Sequence, residues 1–135
     1  MFQGKRDNSP KRIDCLIGAD TTIEGTIVFA GGLRVDGVVK GNITIHEGKP
    51  ATLLLSEESR VEGELHVPHV IINGAVIGPV HSAEHVELQE KAVVTGDVYY
   101  NTLEMQPGAV VQGRLIHQAD GKIDKVVQLK PGSAD

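Results

Sequence analysis

The sequence predicts an all-β protein: a right-handed parallel β-helix of about six rungs with flexible N- and C-terminal tails. Three observations carry that expectation. A short pattern, apolar–any–Gly–any–apolar, recurs six times along the 135 residues. Val and Ile together number 28 and Gly 16, so β-branched side chains and backbone punctuation dominate. The repeats lie 15–22 residues apart, which breaks any strict six-residue period. β-Branched residues fit a pleated, half-buried surface, whereas helical bundles need Ala, Leu and Glu at helical spacing. The length suits one core. The expected organisation is a disordered basic arm over 1–13, a β-helical domain over 14–118 and a tail over 119–135.

The repeats run in order. They read Ile23-Glu24-Gly25-Thr26-Ile27, Val39-Lys40-Gly41-Asn42-Ile43 and Val61-Glu62-Gly63-Glu64-Leu65. The series continues as Val76-Ile77-Gly78-Pro79-Val80, Val94-Thr95-Gly96-Asp97-Val98 and Val111-Gln112-Gly113-Arg114-Leu115. The glycines are 16, 22, 15, 18 and 17 residues apart. The long interval contains the turn-like Glu47-Gly48-Lys49-Pro50, so an insertion of about five residues restores the period. A second apolar register is expected eight residues before each glycine, at Ile17, Leu33, Leu55, Val70, Leu88 and Met105. Small residues precede each glycine by four: Thr21, Gly37, Ser59, Gly74, Ala92 and Ala109.

An isolated segment of this kind cannot bury its apolar face, but stacked copies can, each rung pairing with the next at about 4.8 Å. In such a coil the residues two before and two after each glycine point inward. The glycine itself is expected inward as well, leaving room for branched neighbours. The residues on either side of it point outward and carry charges of alternating sign: Glu24, Lys40 and Glu62, then Asp97 and Arg114. Such exposed pairs report register more than strength, at about 0.2–1 kcal/mol each.

Charge is divided unevenly. Residues 1–13 carry Lys5, Arg6, Lys11 and Arg12 against Asp7, while the rest of the chain is acidic enough to bring the whole to −5. An acidic body with four aromatic side chains is a poor nucleic-acid binder. No apolar run approaches the roughly 18 residues of a membrane helix, and no secretory signal is visible. The single Cys15 fits a reducing compartment, and a cytoplasmic location is expected.

Chemistry is sparse. His66 and His81 follow their glycines by three residues and are expected to stack about 5 Å apart in adjacent rungs, with His69 and His85 close by. These four are read as surface or corner histidines on turns, with a metal site as the lesser alternative, because no Cys or carboxylate completes a recognised spacing. Glu57, Glu58, Glu62 and Glu64 read as a solvated acidic face, and Cys15 as small core filler. No phosphate-cradling glycine loop and no nucleophile elbow is present, so no catalytic residue, cofactor or metal ligand is assigned. A β-helical acyltransferase with a histidine base and a monomeric binding module are the alternatives. Strict hexapeptide periodicity would favour the first and exposed aromatic rows the second.

The ends of the coil are more informative. Terminal rungs leave backbone donors and acceptors unpaired along the axis, and neither flank reads as a capping helix. Ile123, Val126, Val127 and Leu129 would at most cover one end loosely. Apolar Ile17, Phe29, Leu115 and Ile116 near the termini are the expected polymerisation contacts.

The repeated rung, the stretch Leu33-Arg34-Val35-Asp36-Gly37-Val38-Val39-Lys40-Gly41 and the basic arm beginning Met1-Phe2 resemble a bactofilin over roughly residues 14–118. The resemblance implies a non-enzymatic, β-helical subunit that polymerises without nucleotide into nonpolar filaments. It further implies a cytoskeletal scaffold for cell-shape or cell-envelope machinery, peripheral to the inner membrane, with cell-wall hydrolases or synthases as partners. Met1, Phe2, Lys5, Arg6, Lys11 and Arg12 are the expected contacts with an anionic membrane surface, the partners otherwise being further copies of the chain.

Overall fold

The structure, a computed structural model, describes residues 12–119. Met1, Phe2, Lys5, Arg6 and Lys11 of the arm, and residues 120–135 of the tail, lie outside the described residues. Eighteen short strands form six rungs of three. Rung one holds β1 (Cys15–Ile17), β2 (Thr22–Glu24) and β3 (Ile27–Phe29). Rung two holds β4 (Gly31–Val35), β5 (Val38–Lys40) and β6 (Ile43–Ile45). Rung three holds β7 (Ala51–Leu55), β8 (Arg60–Glu62) and β9 (Leu65–His66), and rung four β10 (His69–Ile72), β11 (Ala75–Ile77) and β12 (Val80–His81). Rung five holds β13 (His85–Leu88), β14 (Val93–Thr95) and β15 (Val98–Tyr100), and rung six β16 (Thr102–Met105), β17 (Val110–Gln112) and β18 (Leu115–His117).

Every third strand pairs in parallel with its counterpart one rung away, giving three six-stranded sheets that wrap a β-solenoid. At about 4.8 Å per rung the coil is about 29 Å long. The aliphatic positions of the repeat line its interior. Val39, Val61, Val76 and Val94 stack from the second face, and Ile43, Leu65, Val80 and Val98 from the third, all 0% exposed.

Corner length explains why the period wanders. Between the second and third faces every rung has a two-residue corner, Gly followed by one other residue, which is why this pattern is so regular in the sequence. Between the first and second faces the corner has four residues in rungs one, three, five and six, but two in rungs two and four. The longer corners are turns closed by hydrogen bonds such as Ser59 N–H to Ser56 O (3.0 Å) and Ala92 N–H to Gln89 O (2.9 Å). The expected register eight residues before the glycine is therefore corrected. Val35 and Ile72, not Leu33 and Val70, stand in the column of Ile17, Leu55, Leu88 and Met105. The insertion before rung three is the loop 46–50 between β6 and β7.

The glycines of the repeat are also corrected, since they lie in the corner and not at an inward strand position. Each sits directly above the last. A Cβ on Gly78 would clash with the carbonyl of Gly63, and one on Gly63 with that of Gly41. Their backbones have φ of +143° and +156°, a conformation that side chains disfavour. What the glycine makes room for is the peptide of the rung below. Two of the small residues four positions earlier, Gly37 and Gly74, have the same cause: a Cβ on Gly37 would meet the Thr21 and Gly18 carbonyls, and one on Gly74 would meet Ser59 and the Ser56 carbonyl. Cys15 is corrected too. It is the register partner of buried Leu33, yet it is exposed, because β1 is the terminal strand of its sheet.

Candidate functional site

Two features stand out: the ends of the solenoid and a histidine-rich strip across its middle. Among the described residues eight large apolar side chains are exposed, and six of them belong to rung one, rung six or the residues just before rung one. At rung six, Met105 and Leu115 point along inward columns that no further rung of the described residues continues, and Leu103 and Val111 are only half covered. Among the described residues no strand pairs with the outer edges of β16, β17 and β18, so their free N–H and C=O groups run along the axis. Rung one is covered in part. Ile17 and Phe29 are buried, Ile23 and Ile27 are half-buried, and Ile13, Leu16 and Val28 are exposed. Of the expected contacts, Leu115 is exposed at the end, Ile116 is half-buried beside Tyr99, and Ile17 and Phe29 lie within the core.

Polar ladders hold the rungs in register. Asp97 accepts from the Arg114 backbone N–H (2.9 Å) and from its guanidinium (3.0 Å). Asn42 does the same for the Glu64 N–H at 2.9 Å. The residue after two of the glycines, Asn42 and Asp97, thus staples one corner to the next, a role that Asn or Asp at that position signals. The Arg114 hydrogen bonds hold the Asp97 carboxyl below the usual carboxylate range. The predicted column Glu24, Lys40, Glu62 is in register, but the shortest contact of Glu62 is with Arg60 on its own strand, at 2.7 Å. Arg12 pairs in the same way with Asp14, and Arg34 with Asp36, both at 2.9 Å. The acidic patch divides among separate partners: Glu57 faces Lys91, Glu62 faces Arg60 and Glu64 faces His66.

The histidines form two pairs. His66 and His81 stack on the third face with ring centroids 4.5 Å apart and planes 5° from parallel, as the spacing predicts. Tyr99 continues the stack on His81 at 4.5 Å. His69 and His85 pair across the first face at 6.2 Å, with His69 held by Glu84 at 2.7 Å. Loss of hydration, and then the neighbouring His66, push the His81 imidazole below its ordinary value, against an opposing pull from Glu64. A carboxylate does reach the histidines: Glu64 lies 2.9 Å from His66 Nε2. It was overlooked because Glu64 occupies a corner, from which its side chain returns along the strand. An aromatic row also exists, assembled from two imidazoles and a phenol in different rungs. Its rings cover one another's faces and present edges outward, so it offers no flat platform for a sugar.

A parallel β-solenoid whose last rung leaves Met105 and Leu115 exposed among the described residues has the form of an assembly-forming structural protein. The chain belongs to the bactofilin family, matching its description "Polymer-forming cytoskeletal" over residues 15–116. It is 27% identical to bactofilin BacP of Myxococcus xanthus (strain DK1622) over 116 residues, which is 85% of this chain and 47% of BacP. The chain thus spans about half the length of that relative. It is 29% identical to bactofilin BacO of the same organism over 100 residues, 74% of this chain and 76% of BacO. The solid-state NMR structure of the cytoskeletal bactofilin BacA superposes with a TM-score of 0.67 at 36% identity, covering 76% of this chain and 94% of BacA.

Proposed function

We propose that this chain assembles end to end, without nucleotide, into nonpolar filaments that scaffold cell-shape or cell-envelope machinery at the inner membrane. The observation that carries the reading is the uncovered core of rung six, where Met105 and Leu115 lie exposed in columns that are buried in the rungs below. A second copy supplies the missing rung. It pairs the free strand edges and removes apolar side chains from water at about 25 cal/mol per Å². Membrane attachment is assigned to Met1, Phe2 and the basic residues of the arm. Recruitment of cell-wall hydrolases or synthases is assigned by kinship.

Negative-stain microscopy of the purified chain, free of nucleotide, tests the assembly. Filaments are expected. A monodisperse monomer at high concentration overturns the reading.

A further inference from the structure

We infer that Glu64, His66 and His81 form a binding site for a borderline divalent transition ion, Zn²⁺ in the first instance. Each offers one ligand atom, and these atoms all lie within 4.8 Å of one another. Two imidazoles and a carboxylate are a donor set that zinc accepts, with water completing a tetrahedron. Mg²⁺ and Ca²⁺, which prefer all-oxygen shells, are poorly served by it.

The frame suits the task. His66 on β9 and His81 on β12 are register partners in the middle of the third sheet, so the backbone ladder sets their separation. Glu64 already lies at 2.9 Å from His66 Nε2, in the place where a cation would draw it. A groove of about 740 Å³ opens beside the pair, lined by His66, His81, Pro68, Ser82, Glu84 and Lys49 among others, and leaves a side free for the water ligand. The rings now stand face to face, so closing on an ion turns both imidazoles edge-on about their side-chain torsions. Metal ligation needs neutral imidazole, so binding is expected to weaken on acidification. The bound ion then clips rung three to rung four.

A second group, His85, Glu87 and Glu104 on the first face, meets the same distance limit. With one imidazole and two carboxylates it is the harder donor set and the weaker zinc site. It serves as the internal control.

The experiment is calorimetric titration of tag-free, chelator-treated protein with ZnCl₂, in the presence and absence of millimolar Mg²⁺. Wild type is expected to bind one equivalent at micromolar zinc, with Mg²⁺ failing to compete. His66→Gln and Glu64→Gln each remove a ligand and are expected to weaken binding by about tenfold or more. His85→Gln is expected to bind as wild type does. His66 and Glu64 have about half of their side chains in solvent, so circular dichroism of both variants should match wild type before zinc is added. Absence of saturable binding in wild type, full binding by folded His66→Gln, or loss of binding in His85→Gln each overturns the assignment.

Discussion

Leu88 and Met105 occupy the same inward column one rung apart, yet Leu88 is 0% exposed and Met105 44%. Val98 and Leu115 repeat the contrast on the third face, at 0% and 42%. In each pair the difference is the rung above. Leu115→Arg is therefore expected to leave the subunit folded and to shorten or abolish filaments, because an unpaired charge costs several kcal/mol to bury at a contact. Sedimentation and negative-stain imaging check it, and filaments of wild-type length would reject the contact. Phe29→Arg is expected to behave differently. Phe29 is buried inside rung one, so charge there unfolds the end of the coil before assembly is tested.

The corner glycines yield a second prediction. Gly78 has φ +143° and no room for a Cβ above Gly63, whereas Gly48, at φ +81° in the loop 46–50, has nothing within 4 Å. Gly48→Ala is expected to cost about 1 kcal/mol of backbone strain. Gly78→Ala adds a clash with backbone that cannot move without shifting two rungs, so a loss of about 3 kcal/mol or more is expected. Thermal denaturation of the two variants side by side decides it. Equal melting temperatures would mean that the ladder tolerates side chains.

These corners also show what the sequence could and could not convey. The coil, its rung count and the inward pairs around each glycine were legible, because the Gly corner has the same length in all six rungs. Spacing counted from the glycine falls two residues out on the first face, at Leu33 and Val70, because the tight corners Asp36-Gly37 and Asn73-Gly74 replace four-residue turns. Spacing counted from one corner does not report the length of another. The Glu64–His66–His81 group was half legible: strand register gave the histidine stack, but not the return of a corner side chain.

Thr52 offers a third test. Its hydroxyl is buried and has no hydrogen-bond partner among the described residues. It lies between Gly32 and His69 in the first sheet. Thr52→Val keeps the shape, removes an unpaired polar atom and retains a β-branched side chain. A gain of about 1 kcal/mol is expected in chemical denaturation. A loss of stability would show that the hydroxyl is satisfied.

Stability should fall on acidification in two stages. Loss of hydration, and then the neighbouring His66, lower the His81 imidazole against the opposing pull of Glu64. Its folded form therefore binds protons less readily than its unfolded form, and stability declines as pH falls below about 6.5. Asp14, Asp36, Glu62 and Asp97 are all lowered by hydrogen bonds, from Gly32 N–H, Arg34, Arg60 and Arg114 in turn. Their contribution is present above the ordinary carboxylate range and is lost below about pH 4. Melting temperature against pH should show both declines. His81→Gln should remove the first and Asp97→Asn reduce the second. A His81→Gln profile identical to wild type would refute the imidazole's role.

On the proposed reading, membrane binding depends on assembly. Met1 and Phe2 offer a small apolar plug, and Lys5, Arg6, Lys11 and Arg12 add charge worth about 1 kcal/mol apiece near an anionic leaflet. Arg12 also pairs with Asp14 at 2.9 Å, in a surface contact that an anionic leaflet can outcompete. One such arm binds weakly and reversibly, since single anchors need a second signal. A filament displays many arms on one body, and avidity multiplies the contacts without new chemistry. Liposome co-sedimentation should therefore rank wild type first, with Leu115→Arg and Phe2→Glu much reduced and an arm deletion lowest. Raising salt should release wild type, because basic side chains supply much of the attraction. An arm deletion that pellets with anionic vesicles as wild type does would show that the arm is not the membrane contact.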